Sequence, residues 1–325
     1  MAAIVVTGAS GFIGSNVVER LAACGRADVV AVDAYADPQA RHRYLDALPV
    51  RAFVDRDGLF LWLEQHEREV QAVIHLGACS DTTVTDRAYV MRNNYEYTRA
   101  LWNWCTRVGR PLLYASSAAT YGDGSAGWDD ESDPYRLLPL NLYGESKQRF
   151  DLWALEQSKA PPRWVGLKYF NVYGPHEKHK ARMASVAFHA MHQIRAKEQV
   201  ALFQSHRPEI PHGAQCRDFV CVADAVDATL HFLESPVSPA APNGLYNVGT
   251  GAARSFEDLA KAVFAALHKP PSIEYVPMPE ELREKYQYFT QATTIRLRRA
   301  GFTRPFQALE DGVRSYVQKE LGLPA

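Results

Sequence analysis

Two short patterns in this chain could do chemistry. Tyr143 and Lys147 stand four residues apart in Tyr143-Gly144-Glu145-Ser146-Lys147, which puts both on one face of a helix. An ammonium held near a phenol favours the phenolate, so a group of ordinary pKa about 10 can act as a base nearer neutrality. Upstream, Gly8, Gly11 and Gly14 lie in Thr7-Gly8-Ala9-Ser10-Gly11-Phe12-Ile13-Gly14, between an apolar run and a helical pattern. In that setting a glycine turn brings backbone amides and a helix N-terminus to a pyrophosphate. Each pattern recurs by accident. Together, in this order and about 130 residues apart, they point to hydride chemistry on a bound nicotinamide dinucleotide.

Two further residues extend the reading. Ser117 ends an apolar run twenty-six residues before Tyr143. A hydroxyl there can hydrogen-bond a reacting alcohol or ketone oxygen while Tyr143 takes or returns its proton. Lys147 would tune Tyr143 and contact the nicotinamide ribose. Asp33, nineteen residues beyond Gly14, ends the second apolar run, where a carboxylate can bind the adenine-ribose hydroxyls. A carboxylate repels a 2′-phosphate and so favours NAD. Arg41, Arg43 and Arg56 follow closely and could neutralise that phosphate, so electrostatics leave both NADP and NAD open.

These residues need a sheet to hold them. Ala3–Val6, Val29–Val32, Ala72–Leu76, Leu112–Ala115 and Val165–Tyr169 are short, β-branched runs separated by helical patterns. Such runs read as buried parallel strands covered by helices on both faces. The expected fold class is α/β, a Rossmann-type doubly wound parallel sheet with a smaller C-terminal α/β substrate lobe. Residues 1–170 are expected to form the dinucleotide-binding domain and 171–325 mainly the substrate lobe, with the chain crossing between them more than once. Helices are expected to start near Met183, Asp224, Ser255 and Ala308, and strands near 216–222, 245–248 and 273–276.

Bulk properties narrow the function classes. With 36 Lys+Arg against 37 Asp+Glu and a formal net charge of -1, nothing in the charge asks for nucleic acid or a membrane surface. Five scattered cysteines without Cys-x-x-Cys fit a reducing compartment. A strand begins almost at the N-terminus, leaving no room for a signal peptide, and no apolar run nears the roughly 20 residues that span a bilayer. The expected location is cytoplasmic. No metal is expected: His189 and His192 are one turn apart, but no carboxylate or thiol completes a site at ligand spacing.

Later blocks carry a resemblance. They include Gly77-Ala78-Cys79-Ser80, Asn93-Asn94-Tyr95, Tyr169-Phe170-Asn171-Val172-Tyr173-Gly174-Pro175, His179-Lys180 with Met183-Ala184-Ser185, and Tyr286-Gln287-Tyr288-Phe289-Thr290-Gln291. On these, the chain resembles the ADP-L-glycero-D-manno-heptose 6-epimerases over nearly its full length, within the extended short-chain dehydrogenases. The resemblance implies a bound NADP, a transient ketone at C6″ and return of hydride to the opposite face. It implies a role in inner-core heptose synthesis for lipopolysaccharide, and a homo-oligomer, a pentamer in that family.

Residue roles follow by position. Tyr143 would be one acid/base group and Lys180 the second; the plain alternative for Lys180 is a phosphate-binding or solvated cation in a basic run. Phe12, Ile13, Asn93 and Val172 would line the cofactor, as would Leu76, Gly77, Ala78, Cys79 and Ser80. Arg43 stands as the counterpart of a family lysine. Asn171, His189, Arg217 and Tyr286 would hold the ADP-sugar, as would Phe203, Gln204, Ser205 and His206. Arg182 departs from a small residue usual there and could alter contacts with the sugar. The alternatives are a nucleotide-sugar epimerase of the 4-epimerase type, or a non-catalytic NAD(P)-binding protein.

Overall fold

A computed structural model describes residues 2–35, 44–283 and 286–323; Arg41 and Arg43 lie outside the described residues. The described strands are β1 (Ala3–Thr7), β2 (Val29–Asp33), β3 (Val50–Asp55), β4 (Val70–His75), β5 (Leu112–Ser117) and β6 (Trp164–Tyr169), followed by β7 (Asn171–Tyr173), β8 (Val200–Phe203), β9 (Cys216–Cys221), β10 (Gly244–Val248), β11 (Ala253–Ser255) and β12 (Ile273–Val276). Seven of them form one parallel sheet in the order β3-β2-β1-β4-β5-β6-β10. The order reverses between β1 and β4, the switch point where open α/β sheets bind ligands beyond their strand ends.

Why these segments are strands is plain from their burial. Every residue of β1 and of β6 is buried, as expected where helices cover both faces. On one face, Val17, Val18 and Leu21 of the helix Phe12–Ala23 share a core with Val226 and Phe232 of the helix Val222–Glu234. On the other, Leu59, Leu63, Trp102 and Phe150 pack against Val5, Val30 and Val73. Strand β3 differs: its residues alternate half-buried and exposed, because it is the open edge beside β2. Arg51 and Asp55 on that edge keep it from reading as an apolar run.

The remainder folds on smaller sheets, β11-β9-β7 and β12-β8, around a third core containing Met191, Phe219, Val263 and Val313. Phe170 alone separates β6 from β7, so the chain leaves the large sheet for the small one at the cleft. The stretch 245–248, expected with the C-terminal elements, instead pairs in parallel with β6. Parallel pairing needs a crossover, and the helix Val222–Glu234 supplies it. Sequence also missed β7, β8 and β11, each of three or four residues.

Two glycines set the switch point. Gly8 has φ +67°, and a Cβ there would lie 2.6 Å from the amide nitrogen of Gly77 after β4. A Cβ on Gly14 would lie 2.0 Å from the carbonyl oxygen of Gly8. Gly14→Ala therefore cannot be accommodated without moving backbone. A fall in the urea midpoint equivalent to a few kcal/mol is expected, together with lost cofactor binding; a midpoint like the wild type's would show that the turn yields.

Candidate active site

The turn after β1 is built to face an anion. Gly11 precedes the helix Phe12–Ala23 and offers no side-chain cap, so the helix N-terminus is left open to a ligand. Asp33 closes the turn from the side: its Oδ2 accepts from the Ser10 amide at 2.8 Å and its Oδ1 from the Ala34 amide at 2.8 Å. Across the switch point, the Gly77 amide donates to Thr7 Oγ1 at 3.2 Å. Bare glycines, an open helix end and a carboxylate at the end of β2 fit a dinucleotide.

These groups wall a cleft of about 670 Å³. Gly8, Gly11, Phe12, Ile13, Gly14 and Asp33 line one side, and Leu76, Gly77, Ala78, Ser80 and Val172 line more of it. Ser117, Tyr143, Lys147 and Lys180 complete it. A smaller cavity of about 230 Å³ shares Gly8, Asp33, Gly77 and Ala78, and is also lined by Arg56, Cys79 and Asn93.

Tyr143 is the second residue of the helix Leu142–Leu155, which Asn141 caps by accepting the Gly144 amide at 2.8 Å. Its phenol lines the cleft together with Ser117. Lys147 donates to the Ala115 carbonyl at 2.8 Å, and its Nζ sits 6.0 Å from the Tyr143 ring centroid. Burial pushes the Tyr143 phenol up, while Ser117 draws it down. Burial pulls Lys147 down to about 8. The lysine thus loses its proton before the tyrosine does.

Lys180 enters the cleft from a different support. It lies in the 3-10 segment Lys178–Met183, with Nζ 5.3 Å from the Phe12 ring centroid. Burial lowers its pKa and Glu177 opposes the shift. The next residue, Ala181, has φ 47° and ψ -120°, a conformation L-residues rarely hold. Buried Glu177 braces the segment: its Oε1 accepts from Ser185 Oγ at 2.7 Å and its Oε2 from the Ser185 amide at 2.5 Å. Arg182 crosses to Thr83 and to Asp81, the latter at 3.3 Å. The Arg182 carbonyl lies 3.3 Å from His189 Nε2.

The remaining expected substrate residues gather apart from that cleft's lining. The Arg217 guanidinium is buried against the rings of Tyr286 and Phe256, 5.1 and 5.3 Å from their centroids. The Tyr286 ring meets Tyr288 edge-on at 5.4 Å. The Tyr288 hydroxyl accepts from the His206 amide at 3.0 Å and lies 2.8 Å from His206 Nδ1. Phe203 ends β8, Gln204 donates to the Tyr275 carbonyl, and the Ser205 amide donates to His212. Asn171 accepts from Thr290 Oγ1 at 3.4 Å. Sequence reasoning passed over Tyr288 and Arg207, whose guanidinium sits 4.4 Å over the Tyr288 ring; the alternation Tyr286-Gln287-Tyr288 was the available signal.

It also passed over Asn94, which ties the loop after β4 to the helix Leu142–Leu155. Asn94 Oδ1 accepts the Cys79 amide at 2.8 Å, and its Nδ2 donates to the Cys79 carbonyl and to Ser146 Oγ. Ser146 Oγ in turn donates to the Tyr143 carbonyl at 2.7 Å. Below lies buried His75, 2.6 Å from Thr7 Oγ1 through Nδ1 and 2.9 Å from Thr98 Oγ1 through Nε2. Thr98 donates its proton to the Asn94 carbonyl, so it must accept from His75. His75 is therefore the neutral Nε2–H tautomer, and Thr7 donates to its Nδ1.

Residues 4–249 match the model of the NAD dependent epimerase/dehydratase family. The chain is 43% identical to an ADP-L-glycero-D-manno-heptose-6-epimerase of Fusobacterium nucleatum, covering 98% of each chain. It is 45% identical to one of Nitratidesulfovibrio vulgaris, covering 98% of this chain and 97% of that one. Among solved structures, the Helicobacter pylori ADP-L-glycero-D-manno-heptose-6-epimerase superimposes with a TM-score of 0.82 at 26% identity, covering 99% and 97% of the two chains. The Thermus thermophilus UDP-glucose 4-epimerase in complex with NAD does so with 0.77 at 26% identity, covering 98% and 99%.

The buried imidazole makes a pH prediction. Burial depresses His75 to about 3, with the Lys147 charge adding to the effect. At neutral pH both folded and unfolded His75 are neutral, so it contributes no pH-dependent difference. Below about 6.5 only the unfolded state takes the proton, so stability falls as pH drops, by about 2 kcal/mol at pH 5. His75→Gln, which cannot titrate, should lose less urea resistance between pH 7 and 5 than the wild type. Equal losses would place the acid sensitivity elsewhere.

Proposed function

The chain belongs to the NAD dependent epimerase/dehydratase family, and on that premise we propose that it converts ADP-D-glycero-D-manno-heptose to ADP-L-glycero-D-manno-heptose by inverting C6″. Full-length similarity to heptose epimerases supports the substrate. The observation that carries the reaction type is the convergence of Tyr143, Ser117 and Lys180 on one cleft beside the dinucleotide turn.

Inversion through a ketone needs hydride to leave one face of C6″ and return to the other. The nicotinamide cofactor supplies the hydride acceptor and donor, so no net redox occurs. Tyr143 takes the proton of the C6″ hydroxyl in one presentation of the substrate, with Ser117 hydrogen-bonded to the same oxygen. After the carbonyl turns over, the hydroxyl oxygen formed on the opposite side takes its proton from Lys180. Lysine suits this second role because burial has already lowered its proton affinity. Lys147 would hold the nicotinamide ribose when the cofactor is bound, and its ammonium form would support the phenolate.

NADP is the proposed cofactor. Arg56 lines the smaller cavity with Asp33, where a guanidinium can offset a carboxylate facing a 2′-phosphate. Both Asp33 oxygens already accept backbone amides, which spreads that charge. Arg217, held against the Tyr286 and Phe256 rings, is proposed to engage the diphosphate, with Tyr286 and His206 completing the ADP-sugar site.

The decisive measurement is NMR at C6″ after incubating purified protein with ADP-D-glycero-D-manno-heptose; unchanged stereochemistry would sink the assignment. Tyr143→Phe should abolish turnover, by about 10²-fold or more, while cofactor stays bound. Lys180→Met should lower kcat without unfolding the chain. An effect confined to KM would make Lys180 a substrate ligand instead.

A further inference from the structure

Tyr143, Lys147 and Asp151 recur at intervals of four along the helix Leu142–Leu155 and so share one face. Asp151 is fully buried. It accepts from Tyr114 at 3.0 Å, from Ser116 Oγ at 2.6 Å and from Lys168 Nζ at 2.8 Å. Lys168, on β6, also donates to Thr120 Oγ1 at 2.7 Å. Both members of the Asp151–Lys168 pair have side chains no more than 1% exposed. A buried ion pair gains little over apolar residues of similar volume, because both charges lose their hydration. Its place beneath the reacting centre therefore calls for a use.

We propose that Asp151 is a positioning residue that acts through Lys147, supplying the buried negative charge that keeps Lys147 an ammonium beside Tyr143. The proposal rests on the role given above to Lys147. Along the helix axis Asp151 is about 6 Å from Lys147 and about 12 Å from Tyr143, and its carboxylate raises the proton affinity of both. The Ala115 carbonyl that Lys147 bonds is neutral. The charged and titratable groups around Lys147 come from each neighbouring element. His75 on β4 is neutral, Tyr114 on β5 donates to Asp151, Cys79 follows β4, and Lys168 on β6 is the cation paired to Asp151. Burial lowers the proton affinity of Lys147 and Asp151 opposes that. The same carboxylate binds Ser116, next to Ser117, so charge and geometry are set by one group.

The test uses Asp151→Asn/Lys168→Met, which removes both charges and leaves none unpaired. Lys147 is followed in the cofactor-free protein by the ¹³C shift of its ε-methylene, assigned by the loss of that signal in Lys147→Arg. Wild-type Lys147 should titrate near 8 and the double variant roughly tenfold lower in proton affinity, with the alkaline limb of kcat moving the same way. Tyr114→Phe, which removes a hydrogen bond but no charge, should leave the titration in place. An unmoved titration in the double variant overturns the proposal. If that variant does not fold, Asp151→Asn alone is read in its place, and a Lys147 titration unmoved from the wild type's would overturn the proposal. The titration reads this coupling without turnover: a shifted titration with no epimerisation would remove the heptose reading and keep this one.

Discussion

Backbone packed on backbone at the switch point is the constraint from which the site follows. Gly14 lies against the carbonyl of Gly8, and Gly8 against the amide of Gly77, with no room for a Cβ at either glycine. That contact draws the loop after β1 and the loop after β4 together. It leaves the end of the helix Phe12–Ala23 facing the gap. The rest of the machinery hangs from the second loop: Cys79 is gripped by Asn94, Asn94 by Ser146, and Ser146 bonds the carbonyl of Tyr143. A displacement at the glycines is thereby a displacement of the helix that carries Tyr143 and Lys147.

Burial reshapes the chemistry that residue types alone suggest. Tyr-x-x-x-Lys reads as a phenol eased by an ammonium, yet burial moves the two groups in opposite directions, Lys147 down and Tyr143 up. Which proton leaves first is a property of the cavity. Charge brought by a bound dinucleotide, the Ser117 hydroxyl and the Asp151 carboxylate all bear on that balance.

The sequence was most legible where one local rule decides the outcome. Strands β1, β2, β4, β5 and β6 declared themselves because burial on both faces demands unbroken apolar runs. The glycine turn and Tyr143, Lys147 and Ser117 declared themselves because their spacing is fixed by a turn, a helix and a strand end. Strand β3 did not, since an open edge tolerates Arg51 and Asp55. Strand β10 was visible as a strand but not by address, which depends on where a crossover helix returns the chain. Asn94, Asp151 and Lys168 were silent because a polar side chain in a helix or strand reads as solvent-facing until its buried partners are known. Arg217 and Tyr286 were expected from resemblance alone, and the structure adds what spacing could not: the guanidinium over the Tyr286 ring and the continuation to Tyr288 and His206.

The rare backbone conformation at Ala181 sets the two acid/base candidates on foundations of unequal stiffness. Tyr143 rides a regular helix pinned to the sheet by a buried ion pair, so its aim is shared among many bonds. Lys180 precedes a residue that local energetics would relax, held in place by the Glu177 brace and the Arg182 crossing. Mutational drift would accordingly wear the two halves of the reaction at different rates. In the proposed mechanism the half assigned to Lys180 has fewer redundant supports, and so is the one through which a descendant of this chain could most readily trade inversion for one-sided oxidation or reduction.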